Sequence, residues 1–309
     1  MQKTIGFILN GYHTEFLDCF FELFQNYKKI VYLDQDDYNN IPVLHEIHTF
    51  ITKGLSKDLL FDYNTQKCEK FIVLSHTKEL FTMFKSNFHK NIIYLIHNLG
   101  ELELIKTSSD NPTYFVVSNS VYLVRPINYI FPFSKTTISK INFEYKDQTK
   151  INVLKIGWVT GSLDSYSFLN KENLKLHIFT NSETPLLTQL FHKYSSKIKV
   201  FYRQSSDFIY NYINEKKIKI VFYNPNNIDL FSGTLSFALN NDLILLTNEI
   251  VKRFYNFPKE FYININEIHN LDLKKIIEQS FLENSKIKLQ KYKNNIYNEN
   301  LKIVNYLLL

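Results

Sequence analysis

Short unbroken apolar runs recur along the chain, each followed by a stretch of helical period, and that alternation leaves few folds open. Thr4 to Leu9 is the first run, closed by Asn10-Gly11. Phe16, Phe20, Leu23, Phe24 and Tyr27 then share one helix face, and Ile30 to Leu33 is the next run, which makes a strand, helix, strand start. Phe71 to Leu74, Ile92 to Ile96 and Tyr114 to Val117 read as further strands. Between the first two of these, Thr77 caps a helix that carries Leu80, Phe81, Phe84 and Phe88. Strands apolar along their whole length have both faces covered, so the pattern predicts a parallel sheet with helices on both sides, an α/β fold.

From Ser134 to Asn152 the chain turns polar and loses its period, and then the pattern restarts. Val153 to Val159, Leu174 to Phe179, Ile198 to Tyr202, Ile218 to Tyr223 and Leu243 to Leu246 are the strands of a second series. Thr184-Pro185 opens a helix with Leu186, Leu187, Leu190, Phe191 and Tyr194 at core spacing, another begins near Ser206, and helices fill the chain from Asp272 onward. The reading is therefore two α/β domains, 1–133 and 153–309, with a linker over 134–152. No repeat of solenoid period is present.

Composition narrows the classes. A net charge of +6 and a pI near 8.9 over 309 residues is mild, and it argues against a nucleic-acid binder while suiting an anionic ligand. No apolar run approaches the roughly 20 residues of a membrane span, and the first run is too short for a signal core. The expected location is cytoplasmic, with no transmembrane segment and peripheral membrane contact left open. Cys19 and Cys68 lack metal-type spacing and read as inert buried thiols. Asn, Ile, Lys, Tyr and Phe dominate, whereas Gly numbers seven and Arg is confined to Arg125, Arg203 and Arg253, so those that stand carry more information.

In open parallel sheets ligands bind outside the carboxyl ends of the strands, and the glycines gather there. Gly6 and Gly11 lie in or just past the first strand, Gly100 follows Ile92 to Ile96, Gly157 and Gly161 end the first strand of the second half, and Gly233 precedes an apolar helix. Gly54 alone has no such place. Gly157-Trp158-Val159-Thr160-Gly161-Ser162 sits where a strand turns toward a helix and can offer backbone N–H groups to a phosphate. Ser232-Gly233-Thr234 joins hydroxyls, a glycine and a helix start, a second anion place. Arg203 ends the Ile198 to Tyr202 strand and is expected to face the same ligand. Asp34-Gln35-Asp36-Asp37 has the Asp-x-Asp form of a metal-bridged diphosphate site, but it comes after a single crossover and reads as a solvated loop. His13, His76 and His97 each stand at or past a strand of the first half. No Gly-x-Ser-x-Gly elbow, P-loop or His-Glu-x-x-His occurs.

On these residues the chain resembles the glycosyltransferases of the GT-B fold, and among them family 4. Ile92 to Gly100 resembles that family's strand ending in a histidine that faces the transferred sugar, and Tyr114 to Ser118 and Tyr122 to Asn128 resemble its next strand and the approach to the linker. Lys155 to Ser162 resembles the strand and glycine loop that open the donor domain, and Ser232 to Leu239 the helix start that holds the donor diphosphate. Ser162 stands where many members carry Arg, and Phe237 where the ribose-binding glutamate falls, with Arg203 or Lys171 as the substitute charge.

The resemblance implies two Rossmann-like domains with parallel sheets facing a central cleft, and a nucleotide sugar, UDP-linked by preference, bound by the second at Gly161, Ser162, Arg203, Ser232, Gly233 and Thr234. It implies an acceptor glycan or glycoconjugate on the side of Gly11 and His13, and His97 as the catalytic residue. Transfer would retain configuration, use no metal and need no cofactor beyond the nucleotide sugar. Two rivals share the architecture: a nucleotide-sugar epimerase and a degenerate sugar-nucleotide or glycan-binding subunit.

Overall fold

Ile5, Phe7 and Ile8 are buried on both faces of the first strand, β1 (Thr4–Ile8), which pairs in parallel with β2 (Lys28–Leu33) on one side and β4 (Lys70–Val73) on the other. With β3 (Ile51–Gly54), β5 (Ile92–Ile96) and β6 (Thr113–Val116) they form a six-stranded sheet in the order β3-β2-β1-β4-β5-β6. Phe7, Phe20, Phe21, Phe24 and Phe115 make the aromatic heart of its core against the Leu17–Leu23 helix. Gly6 is a packing glycine. A Cβ there would meet Phe71 Cδ1 at 2.8 Å and Tyr32 Cε2 at 3.0 Å.

This computed structural model describes residues 2–10, 16–33, 49–55, 57–75, 91–97, 99–108, 113–117, 130–131, 134–136, 140–143, 149–224 and 233–308. The helix expected after Thr77 and the run Asp34 to Asp37 lie outside them.

The second sheet is also six-stranded and parallel, in the order β12-β11-β10-β7-β8-β9. Its strands are β7 (Ile151–Ile156), β8 (Leu174–Thr180), β9 (Ile198–Tyr202), β10 (Ile220–Phe222), β11 (Ile244–Thr247) and β12 (Tyr262–Asn264). Thr184 caps the Pro185–Tyr194 helix by accepting from the Leu187 N–H at 3.2 Å, with Pro185 in the first turn, as the sequence predicts. Ser205 caps the Ser206–Lys216 helix in the same way, and Asp272 caps Leu273–Phe281.

Two compact units result. One holds the first sheet together with residues 296–308, and the other holds the second sheet and the helices as far as Asn295. The long Glu283–Leu308 helix is thus shared, its last turns giving Tyr297 and Val304 to the first core. The sequence boundaries instead left the chain's end with the second domain.

Candidate functional site

In the second sheet the first strand, β7, lies beside β10, and the chain runs outward from this pair in opposite directions. Such a switch point is where an open parallel sheet offers a crevice to a ligand. After β7 the chain passes through 157–162 into a 3₁₀ helix, Leu163–Asn170. The strand expected to reach Val159 stops at Ile156 because Gly157 takes φ +81° and Gly161 φ +107°, which L-residues rarely adopt. A Cβ on Gly157 would meet nothing within 4 Å, so its glycine serves backbone conformation, unlike that at Gly6.

Three bonds pin this loop to its surroundings. Gly157 N–H donates to Phe179 O at 2.8 Å on the β8 side, and strand alternation then turns the Ile156 carbonyl toward β10. There it accepts from Thr234 Oγ1 at 3.1 Å, in the first turn of the Gly233–Asn240 helix. Tyr166 Oη donates to Thr160 O at 3.1 Å and fixes the far side of the loop. Val159 is buried as an anchor, while Trp158 beside it is 67% exposed. Gly161 and Ser162 lie at the surface end, with Ser162 Oγ 3.4 Å from Ser165 Oγ. The glycine loop and the helix start, about 70 residues apart in sequence, are therefore clipped together at one strand end.

Beneath that clip lies a residue that sequence reading passed over. Lys155 faces the core side of β7 with Ile151 and Val153, is 4% exposed, and places Nζ 3.1 Å from the same Ile156 oxygen. Burial pushes its ammonium down to about 8. The available signal was a charge inside a run that otherwise predicts a strand covered on both faces.

The other expected donor residues are dispersed. Ser232 lies outside the described residues, and Gly233 opens the helix. Arg203 follows the edge strand β9 in a left-handed turn, φ +51°, with its N–H donating to Thr180 O at 3.1 Å. It is exposed, and β8 separates its strand from β7, so the fold does not gather it with Gly161 and Thr234. The Lys171 ammonium caps the carbonyls of Ile268, His269 and Leu271 at 2.9 to 3.3 Å, a structural duty. Phe237 packs its ring 5.6 Å from that of Tyr210.

In the first unit Gly11, His13 and His76 lie outside the described residues. His97 follows β5 and is 6% exposed, its ring stacked on Phe16 at 5.3 Å, with Nε2 donating to Leu74 O at 2.9 Å. That carbonyl comes just after β4, so the imidazole ties two adjacent strand ends together. With Nε2 committed, the ring would have to meet a sugar hydroxyl through Nδ1. The segment after His97 is not the expected turn: Leu99–Ser108 is a helix with Gly100 in its first turn, and Glu101 reaches back to accept from the His97 N–H at 2.7 Å. A carboxylate at the N-terminal turn is favoured by the unpaired N–H groups and the dipole there, which offset the cost of glycine. Asp18, near the start of the Leu17–Leu23 helix, has a carboxyl that burial and then Glu22 push up to about 7, and its Oδ1 has no hydrogen-bond partner. Among the described residues no cluster of three His, Cys, Asp or Glu could hold a metal ion.

No known family and no curated protein matches the sequence. Solved structures do match in fold. Anabaena Alr3699/HepE, in complex with UDP and glucose, is 11% identical with a TM-score of 0.61 over 98% of this chain and 96% of that one. The DNA-modifying enzyme β-glucosyltransferase, solved with and without uridine diphosphoglucose, is 11% identical with a TM-score of 0.56 over 97% and 99%. UDP-GlcNAc 2-epimerase from Neisseria meningitidis, bound to UDP-GlcNAc, is 10% identical with a TM-score of 0.52 over 97% and 100%. Together with the two parallel sheets, these likenesses establish the expected class: an α/β protein of two Rossmann-like units with a GT-B-like fold. Among the described residues no helix is long and apolar enough to cross a membrane.

Proposed function

We propose that the chain is a glycosyltransferase that moves a sugar from a UDP-sugar to a hydroxyl of a glycan or glycoconjugate. The observation that carries this reading is the Thr234 to Ile156 bond, which joins a helix start to a positive-φ glycine loop at the switch point of the second sheet. Backbone N–H groups near Gly161 and Gly233, with the Thr234 turn, hold the diphosphate and stabilise it as it departs, in the manner of an oxyanion hole. Ser162 and Ser232 add hydroxyls.

The first unit takes the acceptor, on the side of Gly11 and His13. His97, whose Nε2 is bonded to Leu74 O, acts by holding the ends of β4 and β5 in place for transfer. Arg203, at the edge strand, is left out of the donor contacts. In this reading transfer retains configuration, needs no metal or further cofactor, involves no nucleic acid, and serves cytoplasmic glycan synthesis, as for a divergent member of family 4.

A second reading has a specific ground, because structures of UDP-GlcNAc 2-epimerases align over almost the whole chain. Acceptor dependence separates the two. A transferase releases UDP from a UDP-sugar only when an acceptor is supplied, whereas an epimerase converts the UDP-sugar alone. A panel of UDP-sugars screened first by thermal shift selects the donor, since a ligand at 100 times its Kd adds about 2.7 kcal/mol of stability. Acceptor-dependent UDP release is expected, and a new UDP-sugar formed without acceptor would overturn the transferase reading.

A further inference from the structure

We infer that Lys155 is a ligand-binding cation whose ammonium takes a phosphate oxygen of the diphosphate at the carboxyl edge of the second sheet. The inference rests on the donor reading above and deepens it by naming a charge within that site. An ammonium carries three N–H donors, yet among the described residues the Ile156 carbonyl is the acceptor that Lys155 has, and no carboxylate pairs with it. A cation taken out of water without a counter-ion is costly, and methionine would fill the same space without that cost. The charge makes physical sense if an anion completes it.

The position agrees. Lys155 Nζ and Thr234 Oγ1 both lie 3.1 Å from one oxygen, that of Ile156, at the last residue of β7. The strand end therefore joins a buried cation, the positive end of a helix dipole and a loop of positive-φ glycines, all of which favour negative charge. The pKa of Lys155 is lowered by burial with no neighbouring charge contributing, so its proton is held loosely near pH 8 until an anion arrives. Among the described residues the Tyr166 hydroxyl also reaches the loop, and burial pushes it far above its ordinary value, so it stays protonated through this range.

The test is calorimetric titration of the protein and of Lys155→Met with UDP and, separately, with pyrophosphate, at pH 7 and pH 9. UDP should bind Lys155→Met at least tenfold more weakly at pH 7. Wild-type affinity should fall between pH 7 and 9 while that of the variant stays flat, because a phosphate's second ionisation, near pH about 6, is already complete. Lys155→Met should melt no lower than wild type, since it removes an unpaired buried charge. UDP affinity within twofold of wild type in Lys155→Met would overturn the inference and leave the nucleotide reading standing. If pyrophosphate binds wild type and is lost in the variant while UDP does not bind, Lys155 keeps its role and the nucleotide-sugar reading fails. If neither probe binds wild type, both fail.

Discussion

In both units the first strand lies in mid-sheet beside the fourth, so the chain reverses direction at β1 and β4 in one sheet and at β7 and β10 in the other. The strand orders are the same, yet the two strand ends are built from different chemistry. Past β1 and β4 the described residues close the edge with apolar and aromatic groups: Leu9 and Leu74 are buried, Leu74 N–H donates to Ile8 O at 2.9 Å, and His97 and Phe16 stack over it. Past β7 stand two glycines in left-handed conformation and an exposed tryptophan, and the next-to-last residue of the strand is the buried Lys155. Topology decides where a ligand can sit, and the residues at the strand ends decide what it can be. Among the described residues, a buried cation and positive-φ glycines meet at the second edge and not at the first.

Glycine substitutions test that contrast with the largest effect. Gly161→Val should weaken UDP binding tenfold or more, because a β-branched residue cannot hold φ +107° and the loop must move. Gly6→Ala should leave UDP affinity unchanged and cost about 1 to 3 kcal/mol of stability through overpacking against Phe71 and Tyr32. Denaturant melts alongside calorimetry check both, and an exchange of the two outcomes would break the comparison.

His97→Ala comes next. Losing a buried hydrogen bond and a stacked ring should cost about 2 to 3 kcal/mol of stability. Turnover should fall while UDP affinity stays within twofold, because the proposed donor site is on the other sheet. Loss of UDP affinity together with turnover would place the donor against the first unit instead.

Much of this frame was legible in the residues. Ile92–Ile96 and Ile198–Tyr202 were read at their true bounds because strands covered on both faces leave unbroken apolar runs. β3 escaped notice: it is a four-residue edge strand with no buried residue, and Gly54, left without a role in the sequence, ends it. β12 was missed too, as a three-residue edge strand. Leu99–Ser108 was hidden by Asn98-Leu99-Gly100, which reads as a turn until Glu101 is seen reaching back over the first turn. At the site, Gly157 and Gly161 announced themselves as glycines. Lys155 did not, because a lysine within an apolar run carries no mark of which way its ammonium is turned, and only the bond to Ile156 O reveals it.

A smaller effect is expected from Asp18 in the first unit. Its carboxyl titrates near 7 when folded against an ordinary value of 3.8, so between these pH values folding takes up a proton. The stability it contributes is present below pH 4 and is lost as pH rises through 7. Asp18→Asn should flatten that slope and gain on the order of 1 to 2 kcal/mol over wild type at pH 8. Urea melts from pH 4 to 8 check it, and an unchanged slope would show that the acid is not buried as described.

The smallest effect is expected at Arg203. With β8 between its strand and β7, Arg203→Lys should change UDP affinity less than twofold in calorimetry. A tenfold loss would extend the anion-binding edge as far as β9 and restore the role its sequence position suggests.

The central claim, that the nucleotide diphosphate binds at the β7 strand end, can be tested through Trp158, the chain's single tryptophan, which is 67% exposed within the glycine loop. UDP titrated against its fluorescence should give a saturable change in emission and protection from iodide quenching, with a midpoint equal to the calorimetric Kd. Binding of UDP in the calorimeter with Trp158 emission and quenching both unaltered would contradict the claim and move the ligand away from this edge.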